Sequence, residues 1–307
     1  MTAFFTHPAF FQHDMGSHHP ECPERLWEIH DHLTRKGLLP LLDLREPTEA
    51  LDQDLLRVHS ESHLDFLVNA SPKGERLQMI DPDTAMNAHT LRAAYLAAGA
   101  VVQAVDEVVT GRARNAFCAV RPPGHHAERS TPMGFCFFNN IAVGAAHALD
   151  VLGVKRVLIV DFDVHHGNGT EEIFAGDDRV LMVSTFEQSI YPFRGDLPLG
   201  SNMVNVPLAA YTNGSAMREA VLHQWLPAIA EFKPELMMIS AGFDAHKEDD
   251  LSHLLWTDQD YAWISEQLVT AANQWCGGRI VSSLEGGYAV AALARSVGHH
   301  LDALLGG

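Results

Sequence analysis

No uninterrupted apolar stretch approaches the roughly 18 residues that a membrane-spanning helix needs, so no transmembrane segment is expected. Cysteine is scarce. Cys22, Cys118, Cys136 and Cys276 are the only ones, and no two form a Cys-x-x-Cys pair. That excludes a zinc ribbon or a disulfide framework and suits a reducing cytoplasm. The four read as buried small apolar side chains or loop residues. Basic residues are few as well: 21 Lys and Arg stand against 39 Asp and Glu, a net charge of −18. Nucleic acid, whose phosphates need a Lys/Arg surplus, is therefore excluded as a partner, and cationic partners are favoured. The start, MTAFFTHPAFFQHD, has neither a basic n-region nor a small-residue cleavage site, so no signal peptide is expected. Internal repeats, low-complexity tracts and Gly/Ser linkers are absent. A single domain over residues 1–307 is expected.

What is present is ordinary globular material with one excess. Apolar residues make up 47 % and charged residues 20 % of 307 positions, enough for a sizeable core. Histidine is the excess, 19 residues against 21 Lys plus Arg. Short apolar runs rich in β-branched residues recur: Ala116–Val120, Val157–Val160, Val180–Val183, Leu236–Ile239 and Ile280–Ser283. They lack period-2 alternation, as strands covered on both faces do. Helical stretches separate them. Leu91–Val109 is Ala-rich and apolar nearly all round, which predicts a buried helix. Asn140–Leu149, Arg218–Phe232, Thr257–Trp275 and Val290–Leu305 follow, and Thr257-x-x-Asp260 is a capping-box pattern. Strands alternating with helices predict an α/β fold with a largely parallel sheet. The strand order is not legible.

In open α/β sheets, chemistry sits beyond the carboxyl ends of the strands. Four runs end in reactive residues. Ala116–Val120 leads to His125 and His126, Val157–Val160 to Asp161, Asp163, His165 and His166, Leu236–Ile239 to Asp244, and Ile280–Ser283 to Tyr288. In extended backbone Asp161, Asp163 and His165 share one face. Two carboxylates and an imidazole so placed repel unless a cation sits among them. That donor set suits Zn²⁺, with Fe²⁺ or Co²⁺ open, and Asp244 would complete three ligands with an open position. The adjacent His125 and His126 are acid/base candidates. Tyr288, after Gly286-Gly287, can donate to a developing oxyanion. Together these describe metal-assisted hydrolysis of an acyl bond.

The motifs RPPGHHA, GFCFFNN, VDFDVHHGNGT, SAGFDAH and LEGGY, in this order, resemble the zinc-dependent histone deacetylases and their bacterial relatives, the acetylpolyamine amidohydrolases and acetoin-utilisation proteins. The match runs from His19 to Tyr288 and is nearest class II. The resemblance implies an arginase-like α/β domain with a central eight-stranded, mostly parallel sheet flanked by helices. It implies one Zn²⁺ on Asp163, His165 and Asp244, and His126 as general base with His125 as electrostatic partner. Asp161 would orient His125 and Asn168 would orient His126; Tyr288 would polarise the acetamide carbonyl. It also implies K⁺ at Asp161, Asp163, Ser184 and the main chain of His165 and Thr185.

For the substrate tunnel, the resemblance implies walls at Gly134, Phe135 and Tyr191, a gatekeeper at Leu251 and an acetate channel at Arg25. Asp83 would be the rim carboxylate, with Asp81 an alternative, and Cys136 would be buried beside the site. The implied substrate is an acetylated lysine on a protein or peptide, or a small acetylated amine. Leu251, where a polyamine-selective relative has Glu, and the lack of a long dimerising insertion favour acyl-lysine. A catalytically silent acyl-ligand binding protein is the alternative outside enzymes. Glu248, Asp249 and Asp250 read as a solvated loop, and Asp14 and Glu21 as acids of an N-terminal loop near the rim. His7, His30, His32, His63, His147, His223, His299 and His300 read as surface or helix-packing residues. His18, His19, His246 and His253 are rim candidates, and His166 is structural. Oligomeric state is not legible.

Overall fold

The computed structural model describes residues 1–307. Ten strands occur along the chain: β1 Thr2–Phe5, β2 Asp43–Arg45, β3 Gln78–Met79, β4 Ala85–Met86, β5 Asn115–Cys118, β6 Val157–Asp161, β7 Val180–Glu187, β8 Met203–Leu208, β9 Leu236–Ala241 and β10 Ile280–Leu284. β3 and β4 form a small antiparallel hairpin. The other eight form one sheet in the order β2-β1-β5-β10-β9-β6-β7-β8, and every pairing in it is parallel. The five apolar runs predicted as strands are β5, β6, β7, β9 and β10. All their residues are buried, which explains their unbroken hydrophobicity.

β1, β2 and β8 were not anticipated. β2 and β8 are the two edges of the sheet, and edge strands carry a weaker apolar signature. β8 contains Pro207, which an edge tolerates because one side of the strand makes no ladder bonds. The helices Glu24–Arg35 and Glu61–Ala70 were also not anticipated. The run predicted from Arg218 is a longer helical segment that begins at Gly214 and continues to Phe232. Val221–Trp225 within it is a π-turn, just before Pro227, whose missing N–H and ring disrupt regular α-helical bonding. The predicted capping box is present: the Thr257 N–H and hydroxyl both donate to Asp260 Oδ2, at 2.9 and 2.8 Å. No helix is long and apolar enough to cross a membrane.

The topology chooses the site. From β6 the chain passes outward to β7, whereas from β9 it passes the other way to β10. The two connections diverge, so a crevice opens above the carboxyl ends of β6 and β9. The four strands whose ends carry reactive residues, β5, β10, β9 and β6, are consecutive neighbours in the sheet.

The helix Thr90–Val109 packs under one face, with most of its residues buried. Gly99 lies where residues 48–50 cross it, and a Cβ there would sit 2.0 Å from Thr48 O and 2.7 Å from Ala50 N. Gly99→Ala gains about 1 kcal/mol of helix propensity, but it drives a methyl into main chain that has no rotamer to yield. Overpacking costs about 1–3 kcal/mol, and a clash with backbone belongs at the upper end. We expect a net loss of about 1–2 kcal/mol in urea unfolding with an unchanged m-value. A stabilised variant would show that the crossing can relax.

Candidate active site

Asp161 is the last residue of β6, in register with Ser184 on β7 and Ser240 on β9. Beyond it the backbone does not stay extended, as the sequence reading assumed. It bends through two side-chain turns: the Asp163 N–H donates to Asp161 Oδ1 at 3.1 Å and the His165 N–H to Asp163 Oδ1 at 2.9 Å. The residues still converge, but turn hydrogen bonds replace strand periodicity as the cause. Asp244, beyond β9, accepts the Val164 N–H at 2.9 Å. His165 Nδ1 lies 3.1 Å from Asp163 Oδ1 and 3.1 Å from Asp244 Oδ2. His166 points elsewhere, to Glu171 at 2.7 Å, as expected of a structural residue.

Ligand atoms of Asp163, His165 and Asp244 all lie within 4.8 Å of one another. Donors about 2 Å from a tetrahedral centre would be about 3.3 Å apart, so the 3.1 Å spacings suit such an ion. Both carboxylates are fully buried. Burial and the charge of Asp163 push the pKa of Asp244 up to about 6. Against its own burial, Asp163 is held well below the usual carboxylate range by His125 and His165. Two glycines make the cradle possible. A Cβ at Gly242 would sit 2.0 Å from Asp163 Oδ2, and one at Gly286 would sit 2.1 Å from Asp244 Oδ2. The two buried carboxylates and the half-buried imidazole therefore form a candidate metal-binding triad.

His125 and His126 leave β5 through Pro122-Pro123-Gly124. Their rings are 4.1 Å apart. His125 Nδ1 lies 2.9 Å from Asp161 Oδ2, and His126 Nδ1 lies 2.8 Å from Asn168 Oδ1. Asn168 is itself oriented, because its amide Nδ2 donates to Glu128 Oε1 at 2.9 Å. Its oxygen must then face His126, so Nδ1 of His126 carries the proton and Nε2 keeps its lone pair. Burial, reinforced by His125 and His165, holds the pKa of His126 well below the ordinary imidazole value. Burial also opposes charge on His125, but Asp161 and Asp163 outweigh it and push that pKa up to about 10. The two neighbouring rings are thus pushed in opposite directions by their surroundings.

A cavity of about 210 Å³ reaches this centre, lined by His126, His165 and Tyr288 at its base and by Gly134, Phe135 and Tyr191 along its walls. Asp83, Ile190 and Leu251 complete it. A Cβ at Gly134 would meet the His126 ring at 2.6 Å. Phe135 sits edge-on to Tyr288, with ring centroids 5.9 Å apart. Asp83 and Asp81 separate cleanly. Asp81 accepts the N–H groups of Asp83 and Thr84 at 2.9 and 2.6 Å, whereas Asp83 lines the cavity. Burial and Asp81 push the pKa of Asp83 up to about 6. Cys136 is buried, as expected. Arg25 is fully buried, with its guanidinium 5.0 Å over the Tyr288 ring and its Nε donating to Gly287 O at 2.7 Å.

Several acids and histidines differ from their sequence reading. Glu21 is not a rim acid: it is fully buried, paired with Arg25 at 3.1 Å and with Arg121. Asp249 is not solvated: it is buried and accepts the N–H groups of Tyr288 and Ala289 at 2.6 and 3.0 Å. Among the rim candidates, His19 reaches the tunnel wall, 3.0 Å from Asp83 O and 4.7 Å from the Phe135 ring. His246 is buried, 3.3 Å from Asp258, and His253 bonds Glu187 at 2.8 Å. His63, His147 and His300 are buried packing residues. Glu128 and Glu285 take roles that no motif assigns them. Glu285 Oε2 accepts the N–H groups of Gly124 and His125 at 2.6 and 3.1 Å. Burial pushes its pKa up to about 7. The available signal is a charged residue two positions beyond the apolar run Ile280–Ser283, directly after β10.

The geometry has counterparts in known proteins. Residues 19–304 match the model of the histone deacetylase domain. A probable deacetylase of Archaeoglobus fulgidus is 37 % identical over 94 % of this chain and 82 % of its own. The chloroplastic histone deacetylase 14 of Arabidopsis thaliana is 36 % identical over 94 % of this chain and 73 % of its own. The mouse polyamine deacetylase HDAC10 is 38 % identical over 93 % of this chain, which spans 45 % of that longer protein. The solved HDA15 HD domain superposes with a TM-score of 0.92 and 34 % identity, covering 99 % of this chain and 89 % of that one. With its all-parallel sheet, its paired histidines and its carboxylate–imidazole triad at the diverging strand ends, the chain belongs to the histone deacetylase family.

Proposed function

We propose that this deacetylase-family chain is a zinc-dependent amidohydrolase that removes acetyl groups from amines, acetyl-lysine side chains first among them. One observation carries the reading: His165 of the metal triad, His126 with its unbonded Nε2, and Tyr288 line one cavity, with the carboxylates of Asp163 and Asp244 directly behind His165. Asp163, His165 and Asp244 would hold the ion. Bound there, zinc supplies Lewis acidity toward the acyl carbonyl and toward water. His126 Nε2 takes the proton of the attacking water and passes it to the leaving amine. His125, held by Asp161, carries positive charge beside it. The Tyr288 hydroxyl donates to the carbonyl oxygen as negative charge develops there. Phe135 and Tyr191 sheathe the alkyl stem of the substrate and exclude water. Asp161, Asp163, Ser184 and the main chain of His165 and Thr185 are the proposed K⁺ cradle, supported by the register pairing of Asp161 with Ser184.

Three observations bear on the substrate. Leu251 at the tunnel mouth offers no carboxylate to a secondary ammonium, which favours acyl-lysine. The 38 % identity to a polyamine deacetylase and the acid Asp83 at the mouth favour small acetylated amines as the second reading. The four free cysteines agree with a reducing cytoplasm.

Acetate release from an acetyl-lysine peptide should vanish with a chelator and return with zinc. His126→Ala and Tyr288→Phe should each lower kcat by about 10²–10³ with folding intact. Full activity in both variants would overturn the mechanism. Tight hydroxamate binding without turnover of acetyl-lysine peptides, acetylputrescine or acetylspermidine would indicate a silent binding protein instead. Gly286→Ala forces a methyl between Asp244 and Asp163, so metal analysis of the purified variant should find well under half the zinc of the unsubstituted protein. Equal metal content would refute the three-ligand site.

A further inference from the structure

We propose that Asp249 is a positioning residue for Tyr288, holding the tyrosine's backbone from the loop that also carries Leu251. The inference rests on the role given to Tyr288 above. Asp249 lies in the connection after β9, eight residues beyond the strand's last residue, Ala241. Its neighbours Glu248 and Asp250 are exposed, but Asp249 is buried, with 5 % of its surface accessible. No cationic side chain pairs with it. Three backbone N–H groups satisfy it instead: Tyr288 and Ala289 donate to Oδ2 at 2.6 and 3.0 Å, and Leu251 donates to Oδ1 at 3.1 Å.

Those three bonds join two segments that the tunnel needs in register. Tyr288 follows Gly287, which takes φ 117° to turn the chain, and precedes the helix Val290–Gly306. That helix has Ala289 at its N-cap and no side-chain cap of its own. Asp249, from a distant loop, accepts the N–H of that N-cap residue and of Tyr288 before it, next to the positive end of the helix dipole. Arg25 grips the other side of the same turn through Gly287 O. The backbone of Tyr288 is thus held between a guanidinium and a carboxylate, and its ring is directed to the base of the tunnel. On the far side of the carboxylate, Leu251 is held at the tunnel mouth. Loss of Asp249 would free the tyrosine by a fraction of a turn, and a misplacement of about 1 Å can cost about 10²-fold in rate.

Steady-state kinetics on acetyl-lysine peptide test this with Asp249→Ala, Asp249→Asn, Asp250→Ala and the double variant of Asp249→Ala with Tyr288→Phe. Asp249→Ala should lower kcat by about 30- to 100-fold with KM within about threefold. Asn can turn its one oxygen to Tyr288 and Ala289 and release only Leu251, so Asp249→Asn should recover most of kcat. Asp250→Ala, at the exposed neighbour, should leave kcat unchanged. In the Tyr288→Phe background, Asp249→Ala should cost less than about threefold more, because the group it positions is gone. Multiplying losses in the double variant, or an undiminished kcat in Asp249→Ala, would overturn the positioning role while the role of Tyr288 stands. An active Tyr288→Phe enzyme would instead overturn the mechanism itself. If Asp249→Ala fails to fold, amide exchange in the unsubstituted protein decides. Slow exchange at Tyr288 and Ala289 supports the grip, and exchange at the rate of an open loop refutes it.

Discussion

Two buried carboxylates on adjacent strand ends, with one imidazole between them, set the terms for everything around them. Asp163 and Asp244 are both fully desolvated and share His165 at 3.1 Å. Like charges in a dry crevice are costly unless a cation or directed dipoles answer them. The surrounding chain is shaped by that demand. Gly242 and Gly286 have no Cβ because the carboxylate oxygens occupy the space. Main-chain N–H groups of Gly286 and Val164 point at the remaining oxygens. A parallel sheet with diverging connections above β6 and β9 supplies the crevice.

The same device recurs one layer out. Glu285 ties the end of β10 to the backbone of Gly124 and His125, and Asp249 ties the tyrosine turn to the Leu251 loop. Each is a buried acid answered by backbone N–H groups, with no salt-bridge partner. Such bonds are directional and leave little room for slippage. Glu21 is the contrast. It is buried among Arg25, Arg121 and His13, and through Arg25 it backs the Tyr288 ring. Acidic residues of this chain therefore brace the loops around the site as well as forming part of the candidate metal triad, and the net negative charge is not only a surface property.

Much of this was legible in the sequence, for identifiable reasons. β5, β6, β7, β9 and β10 are covered on both faces, so their composition alone marks them as strands. β2 and β8 lie at the edges; their patterns are too weak to read. The residues of the triad, the paired histidines and Tyr288 stood out because each follows a strand and bears chemistry that a turn does not need. Glu248 and Asp250 are exposed as their composition predicts, whereas Asp249 and Glu21 depart from the rule that acids normally belong to solvent. Only partners far along the chain reverse that, and Arg25 reaches Gly287 across most of the sequence.

The sequence by itself determined which side chains are candidates for chemistry and which strand ends deliver them, because donor type and motif order are properties of the chain. It also determined the family, through motifs from His19 to Tyr288. The tertiary structure alone decided how those groups meet. It made turns, not extended strand, bring Asp163 and His165 together. It set the tautomer of His126 through Asn168 and Glu128. It chose Asp83 over Asp81 for the tunnel and took Asp249 out of solvent. The physical reason is common to all of these: a buried polar group is defined by its partner, and here the partner lies on another element of the fold.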